Sequence, residues 1–207
     1  MLRSLRNLSL AAVLFATPAL AGDAVQDWGL AKAPPVPELK TLKLDPKTTA
    51  LLVLDFVKQT CNQERRPRCL DTLKPSGVLL EKARAAHATV IYSVTATSAM
   101  TDVLPPMTAH EGEPHVQAPP DKFLNTDLDA MLKAKGIKTV IVIGTAIHGA
   151  ILGTASQAAY RGYQVVVPVD GVSGDDPYTE QAVLRIMQTG PTLSAQVVLS
   201  RGELIGF

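Results

Sequence analysis

The sequence predicts an α/β domain built on a doubly wound parallel sheet of about five or six strands, with helices on both faces. Two observations support this fold class. Short, continuous apolar runs alternate along the chain with segments in which apolar residues recur at helical spacing. The 207 residues are also 46% hydrophobic and 19% charged, which is enough apolar material for one core of ordinary size.

Five apolar runs are predicted as strands, because strands buried on both faces of a parallel sheet show no polar alternation. They are residues 49–55, 89–95, 138–144, 163–170 and 195–200. Helices are predicted between them at residues 75–88, 126–136, 148–162 and 176–188. Pro75 suits the first turn of the first helix. Residues 96–122 hold five prolines and no clear period, which indicates a lid or a site-forming loop.

The N-terminal residues 1–21 have the pattern of a secretory signal peptide. Arg3 and Arg6 precede an apolar run, and small residues before Gly22 provide a cleavage site after Ala21. The run is too short for a membrane anchor. The sequence therefore predicts a secreted or periplasmic protein with no membrane association once the signal is removed. A proline-rich extended arm is predicted for residues 22–47, and the folded domain for residues 48–207.

The charge pattern excludes some partners. The formal net charge is +1 and the charges are scattered, so no basic face for nucleic acid is visible. A small-molecule ligand is the expected partner. No cofactor is expected. His110 and His115 are residue types that bind metals, but their setting is more typical of a polar loop tip than of a metal site.

Two cysteines, Cys61 and Cys69, enclose the segment CNQERRPRC. In an exported protein this spacing favours a disulfide that closes a short, solvated loop. The alternative is a reactive thiol, whose pKa the neighbouring Arg65, Arg66 and Arg68 would lower.

Polar groups at the carboxyl ends of the predicted strands mark the candidate site, because ligands of open α/β sheets bind there. Asp55 ends the first strand, Asp170 ends the fourth, and a glycine turn at residues 144–150 joins the third strand to a helix. Asp55 is either a general base or a carboxylate that caps a turn or pairs with a lysine. The turn offers backbone N–H groups that bind an anion or a developing oxyanion.

The segments TALLVLDFVKQTC and DKFLNTDLDAMLKAKGIKTVIVIGTAIHGAILGTASQAAYRGYQVVVPVDGVSGDD resemble the isochorismatase-like family of cysteine hydrolases. The resemblance covers about residues 48–200. It implies the doubly wound α/β fold, a homo-oligomer, and hydrolysis of a small amide, ester or vinyl ether. It also implies a catalytic Asp, Lys and Cys, with a cis peptide before the Cys helping to form an oxyanion hole.

Carried onto this sequence, the resemblance assigns the catalytic Asp to Asp55. Lys122 is the candidate lysine, although it directly precedes Phe123 where the family lysine lies several residues earlier. The nucleophile position is Ala150, which has no thiol. The candidate oxyanion residues are Ile147, His148 and Gly149.

Three explanations of Ala150 remain open on the sequence. The chain could hydrolyse its substrate by another route, with water activated by Asp55, since some isochorismatases are understood to act on a vinyl ether without the Cys. It could instead be a non-catalytic, ligand-binding pseudoenzyme. The alanine could also be an engineered replacement of cysteine, although the small neighbours Gly149 and Gly153 favour a native residue.

Overall fold

The structure, a computed structural model, describes residues 22–207, so the predicted signal peptide lies outside the described residues. Residues up to Ala33 and residues Pro34–Phe207 form separate units. The first contains a single 3₁₀ turn at Trp28–Leu30 with exposed side chains. The predicted arm of residues 22–47 is divided between the two units at residue 33. Its second part belongs to the larger unit, where the N–H of Lys40 donates to the carbonyl of Leu199.

The larger unit contains a mostly parallel sheet with helices around it, and this confirms the predicted fold class. The main sheet has the strand order β4-β3-β2-β5-β6-β8, and β7 pairs with β5 beyond the end of β6. All of its pairings are parallel. The elements in chain order are β1 Leu42–Lys43, β2 Thr49–Leu54, α1 Pro67–Ala85, β3 Thr89–Val94, β4 His115–Gln117, α2 Leu128–Ala134, β5 Thr139–Thr145, α3 Leu152–Tyr160, β6 Gln164–Pro168, β7 Val172–Ser173, α4 Pro177–Thr189, α5 Leu193–Gln196, β8 Val197–Ser200 and β9 Ile205–Gly206.

The central strand β2 shows why its sequence lacks polar alternation. Leu52 and Leu54 pack in the core that α2, α3 and α4 cover, whereas Leu51 and Val53 pack on the opposite face against α1. Every residue of β2 is buried. A strand covered by helices on both faces must be apolar at every position.

The first helix differs from its prediction. It begins at Pro67 and contains Pro75 in its interior, so Pro67 and not Pro75 occupies the first turn. Cys69 therefore lies on the helix, and the segment predicted as a solvated loop ends in a helical turn. Pro67 and Pro75 each fit the first turn of a helix. The structure begins the helix at Pro67, and residues between the two prolines, such as Cys69 and Thr72, are buried.

The stretch predicted as one irregular loop, residues 96–122, contains a short strand. β4 pairs with β3 through the register Ser93↔Val116. It covers only three residues, and Val116 alone among them is buried, so its sequence carries almost no period.

Gly144 allows the strands β2 and β5 to approach each other where the site begins. Its φ is +136°, and a Cβ there would lie 1.9 Å from the backbone oxygen of Leu54. Leu54 and Gly144 are register partners. A side chain at residue 144 would therefore push apart the two strand ends that carry Asp55 and the turn at residue 146.

We predict that Gly144→Ala destabilises the protein by more than about 4 kcal/mol, because it adds both a clash with backbone and a disfavoured φ. Gly162→Ala is the matched control. Its φ of +88° is also disfavoured, but no atom lies within 4 Å of the added Cβ, so only the backbone cost of about 1–2 kcal/mol applies. Urea denaturation of both variants measures the difference. Equal decreases in the free energy of unfolding of the two variants would show that a Cβ at residue 144 does not clash with the backbone of Leu54.

Candidate active site

A cavity of about 550 Å³ opens at the carboxyl ends of β2, β3 and β5. The three predicted catalytic positions, Asp55, Lys122 and Ala150, all line it. Both ends of the 96–122 stretch also contribute to its wall, whereas the middle of that stretch does not. The lining residues are Asp55, Thr60, Arg65, Arg66, Thr95, Ala96, Thr97, Ala118, Pro119, Pro120, Lys122, Thr145, Ala146, His148, Gly149 and Ala150.

Asp55 and Lys122 form a buried ion pair in the cavity wall. The ammonium Nζ lies 2.8 Å from the Oδ2 of Asp55, and the two side chains are 0% and 6% exposed for Lys122 and Asp55, respectively. Lys122 also donates to the carbonyl of Ala118, at 3.0 Å. The lysine whose spacing looked displaced in the sequence therefore lies directly on the candidate aspartate.

The backbone around Asp55 fixes the direction of its carboxylate. Its φ is +55°, a left-handed conformation that Asp tolerates better than most residues. The hydroxyl of Thr60 donates to the Asp55 carbonyl at 2.6 Å. The hydroxyl of Ser93, at the end of β3, donates to Oδ1 at 2.9 Å. One carboxylate oxygen thus accepts from Ser93 and the other from Lys122.

Burial raises the pKa of the Asp55 carboxyl above its ordinary value. The charge of Lys122 and the hydrogen bonds from Lys122 and Ser93 oppose this effect without cancelling it. A carboxyl group whose pKa lies above the ordinary value accepts and releases a proton more readily near neutral pH than an exposed aspartate does.

Ala150 lies on the turn that follows β5. Residues Ile147–Ile151 form a π-helical turn that continues into α3, and the Thr145–Ala146 peptide is cis. Ala150 is 3% exposed and its methyl group contributes to the cavity wall. No side-chain nucleophile therefore stands at this position.

The candidate oxyanion residues are placed differently from one another. His148 and Gly149 line the cavity, whereas Ile147 is fully buried in the core and does not. The N–H of Gly149 already donates to the carbonyl of Ala146 at 2.9 Å. The first N–H groups of a helix have no partner within it, which makes the amide of His148 the best-placed donor of the three. The His148 ring is partly exposed, with Nε2 3.6 Å from the carboxylate of Asp175.

Asp170, which the sequence also placed at a strand end, does not line the cavity. Its Oδ1 accepts the N–H of Gly202 at 2.9 Å, so it ties the chain after β8 to the turn after β6. His110 and His115 are exposed. Across residues 22–207, no group of three His, Cys, Asp or Glu side chains has an arrangement suited to a metal ion.

Arg66, which the sequence places only in the charged segment between the two cysteines, also lines the cavity. It is only 6% exposed, although its loop was expected to be solvated. Its Nε donates to Asp175 at 2.7 Å and its Nη1 to the carbonyl of Thr60 at 3.0 Å. The signal was present in the sequence: two cysteines on either side of Arg66 close the loop that directly follows Asp55.

The family model for the isochorismatase domain matches residues 49–198. The chain belongs to the isochorismatase family. It is 28% identical over 140 residues to the secreted isochorismatase effector Isc1 of Verticillium dahliae, a match that covers 62% of this chain and 74% of that protein. The family assignment agrees with the resemblance seen in the two sequence segments.

Solved structures share the fold of this isochorismatase-family chain. An isochorismatase from Pseudomonas putida is similar with a TM-score of 0.70 at 16% identity, over 82% of this chain and all of that one (100%). N-carbamoylsarcosine amidase from Thermoplasma acidophilum is similar with a TM-score of 0.64 at 22% identity, over 75% of this chain and 97% of that one. Hydrolases of different substrates therefore share this architecture.

The disulfide Cys61–Cys69 joins the loop after β2 to the first turn of α1. Both cysteines are buried, at 1% and 0% exposure. Their sulfur atoms belong to the core on the α1 side of the sheet. The bridge thus anchors the loop that carries Arg66 to the core, rather than only closing a surface loop.

We predict that the double variant Cys61→Ala/Cys69→Ala lowers the free energy of unfolding by roughly 2–3 kcal/mol. Without the disulfide, the unfolded chain gains the conformational entropy of a loop of this length. Thermal unfolding measures the loss, with the oxidised and reduced parent protein beside it. Peptide mapping without reductant should find the two cysteines joined. Free thiols at both positions, or an unchanged melting temperature on reduction, would contradict the pairing.

We predict that Asp55→Asn and Lys122→Met each cost about 3–5 kcal/mol, because each leaves an unbalanced charge or an unpaired polar group in a buried site. Both side chains are almost fully buried, so water cannot compensate for the lost partner. The double variant Asp55→Asn/Lys122→Met should lose less than the sum of the two single variants. Additive losses in a denaturation cycle would show that the two groups do not interact.

Proposed function

We propose that this isochorismatase-family chain is an exported hydrolase that cleaves a C–O or C–N bond of a small amide, ester or vinyl ether without a covalent enzyme intermediate. The observation that carries this proposal is the buried Asp55–Lys122 pair in a cavity where Ala150 offers no nucleophile. A buried ion pair adds little net stability, so its place in a cavity wall is better explained by chemistry than by folding.

For an ester or amide, Asp55 in its ionised form acts as the general base. A water molecule gives a proton to the Asp55 carboxylate as its oxygen bonds to the carbonyl carbon. The carbonyl oxygen takes the negative charge and accepts a hydrogen bond from the N–H of His148. The intermediate then expels the alcohol or amine, which takes the proton from Asp55, and a carboxylic acid is left.

For a vinyl ether, the same carboxyl group acts first as an acid. Protonated Asp55 gives its proton to the terminal alkene carbon, and the oxygen-bearing carbon becomes an oxocarbenium ion. Water adds to that carbon and returns a proton to Asp55, and the hemiketal separates into a carbonyl compound and an alcohol. This route needs no nucleophilic side chain, and the raised pKa of Asp55 favours the protonated form that it requires.

Lys122 has an electrostatic role in both routes. Its ammonium group lies against Asp55 and keeps the carboxylate oriented toward the cavity. It stabilises the ionised carboxylate after each proton release. Because Lys122 is fully buried, its charge is little screened by solvent.

A second candidate function is binding without turnover, on the same cavity. The methyl group of Ala150 at the nucleophile position favours it. The hydroxyl of Thr145 also has no hydrogen-bond partner among residues 22–207, although it is buried and lines the cavity. A buried hydroxyl without a partner is satisfied when a ligand supplies one.

Export and self-association remain predictions from the sequence. The similarity to a secreted relative and the buried disulfide support export, because disulfides persist in oxidising compartments. Within residues 22–207, no helix combines the length and the apolar character that spanning a membrane requires. Light scattering on the purified protein measures the expected homo-oligomer.

The first test of hydrolysis is NMR observation of a panel of small amides, esters and vinyl ethers mixed with the protein. We expect turnover of at least one member, and loss of it in Asp55→Asn by about 10²-fold or more. Asp170→Asn is the matched control, because it neutralises a carboxylate that follows another strand of the same sheet, β6, outside the cavity. Binding of a panel member without turnover would support the second candidate function, and full activity of Asp55→Asn would refute the first.

The pH dependence of kcat/KM separates the two routes. If ionised Asp55 is the base, activity falls as the pH drops below its raised pKa, since the carboxylate then carries a proton. If protonated Asp55 is the acid, activity falls as the pH rises above the same value. The limb that reports Asp55 should move when Ser93→Ala removes a hydrogen bond to the carboxylate, because this raises the pKa further.

A further inference from the structure

We propose that Arg66 recognises a carboxylate, so that the substrate or ligand of this cavity is an anionic small molecule. The proposal deepens the function above and rests on it only for the claim that the bound molecule is also hydrolysed. The observation behind it is a buried guanidinium with one unused nitrogen in the wall of the cavity.

The hydrogen bonds of Arg66 leave Nη2 available. Nε donates to Asp175 and Nη1 to the carbonyl of Thr60, and Nη2 has no acceptor among residues 22–207. The side chain is only 7% exposed and lines the cavity, so a ligand in the cavity supplies the acceptor that Nη2 lacks. A hydrogen bond between a charged donor and an ionised acceptor is stronger than one between neutral groups. A guanidinium edge also matches the planar geometry of a carboxylate.

The charges of the cavity agree with an anionic ligand. Three cations, Arg65, Arg66 and Lys122, line it with a single carboxylate, Asp55. Asp55 is neutralised by Lys122 at 2.8 Å. Asp175 pairs with Arg66, but its carboxylate is 51% exposed and so remains partly hydrated. The excess of positive charge in a concave site attracts anions.

Arg66 is also held close to the reacting group. It donates to the carbonyl of Thr60, and the hydroxyl of Thr60 donates to the carbonyl of Asp55. The Cys61–Cys69 disulfide encloses Arg66 and fixes its loop to the core. A cation that is already ordered binds an anion without paying the entropy of ordering a long side chain. A carboxylate on Arg66 therefore places the rest of a small ligand beside Asp55.

The test measures binding without turnover, by titrating the ¹⁵N-labelled protein with two matched pairs of probes. The pairs are propionate with 2-butanone and benzoate with acetophenone, which differ in charge and little in shape and contain no bond that the proposed hydrolysis cleaves. We expect each carboxylate to bind about tenfold to a hundredfold more tightly than its methyl ketone, as for a hydrogen bond with a charged donor. Arg66→Gln should remove this preference.

Two further variants keep the result interpretable. Arg68→Gln is the matched control, because Arg68 also pairs with a carboxylate near α4, that of Glu180, but does not line the cavity. It should keep the preference. Asp175→Asn keeps Arg66 but removes the carboxylate that its Nε contacts. This variant should bind the carboxylate probes several-fold more tightly than the parent protein does.

Equal affinity for carboxylate and methyl ketone in the parent protein, or no binding of either, would overturn the proposal. A preference that survives in folded Arg66→Gln, or disappears equally in Arg68→Gln, would also overturn it. Because the measurement needs no catalysis, an inactive protein that shows the preference would contradict only the proposed hydrolysis. An active protein without the preference would contradict only the role of Arg66.

Discussion

The contact between Asp55 and Lys122 is the constraint on which the arrangement of the cavity depends. A carboxylate at the end of an apolar strand and a fully buried ammonium group are each costly alone, and neither is stable in this position without the other. Meeting this requirement brings together the end of β2 and the chain that leaves β4, which are far apart in sequence. The remaining walls are then set by the neighbours of these two residues, Ser93 on β3 and Ala118 after β4.

Charged and polar groups surround the cavity, and Ala150 contributes only a methyl group to its wall. The turn after β5 has a cis peptide at Thr145–Ala146 and a π-helical turn, and the methyl group of Ala150 lies at the position that the family resemblance predicts for a nucleophile. The cavity wall contains the Asp55–Lys122 ion pair, the backbone N–H groups at the start of the helical turn that follows β5, and the guanidinium of Arg66. Such an arrangement orients a small molecule and polarises its bonds, and in the proposed hydrolysis the attacking atom comes from solvent.

The parts of the fold that the sequence predicted are those that depend on local pattern. The buried strands β2, β3 and β5 are continuous apolar runs, and the helices between them repeat apolar residues at helical spacing, so both follow from local sequence. The site was predictable only in part, because the contacts that matter are not local. Lys122 looked displaced by its spacing from Phe123, and only the path of the chain after β4 places it on Asp55. Arg66 lies in a segment so rich in charge that composition indicates solvent, and its burial depends on Asp175 and Thr60, which the sequence does not connect with it. The early start of α1 was missed because Pro67 and Pro75 fit the same position equally well.

The pairing of β1 with β9 joins the two ends of the larger unit. Leu42 lies opposite Ile205 in a parallel ladder, and Lys40 is bonded to the last strand of the main sheet. The opening segment of this unit therefore has no strand partner until residues 199–206 have been synthesised. Contacts between such distant residues form late and slow the folding of a domain. For the export that we propose, this order of events keeps the chain from completing its structure before residues 199–206 have crossed the membrane.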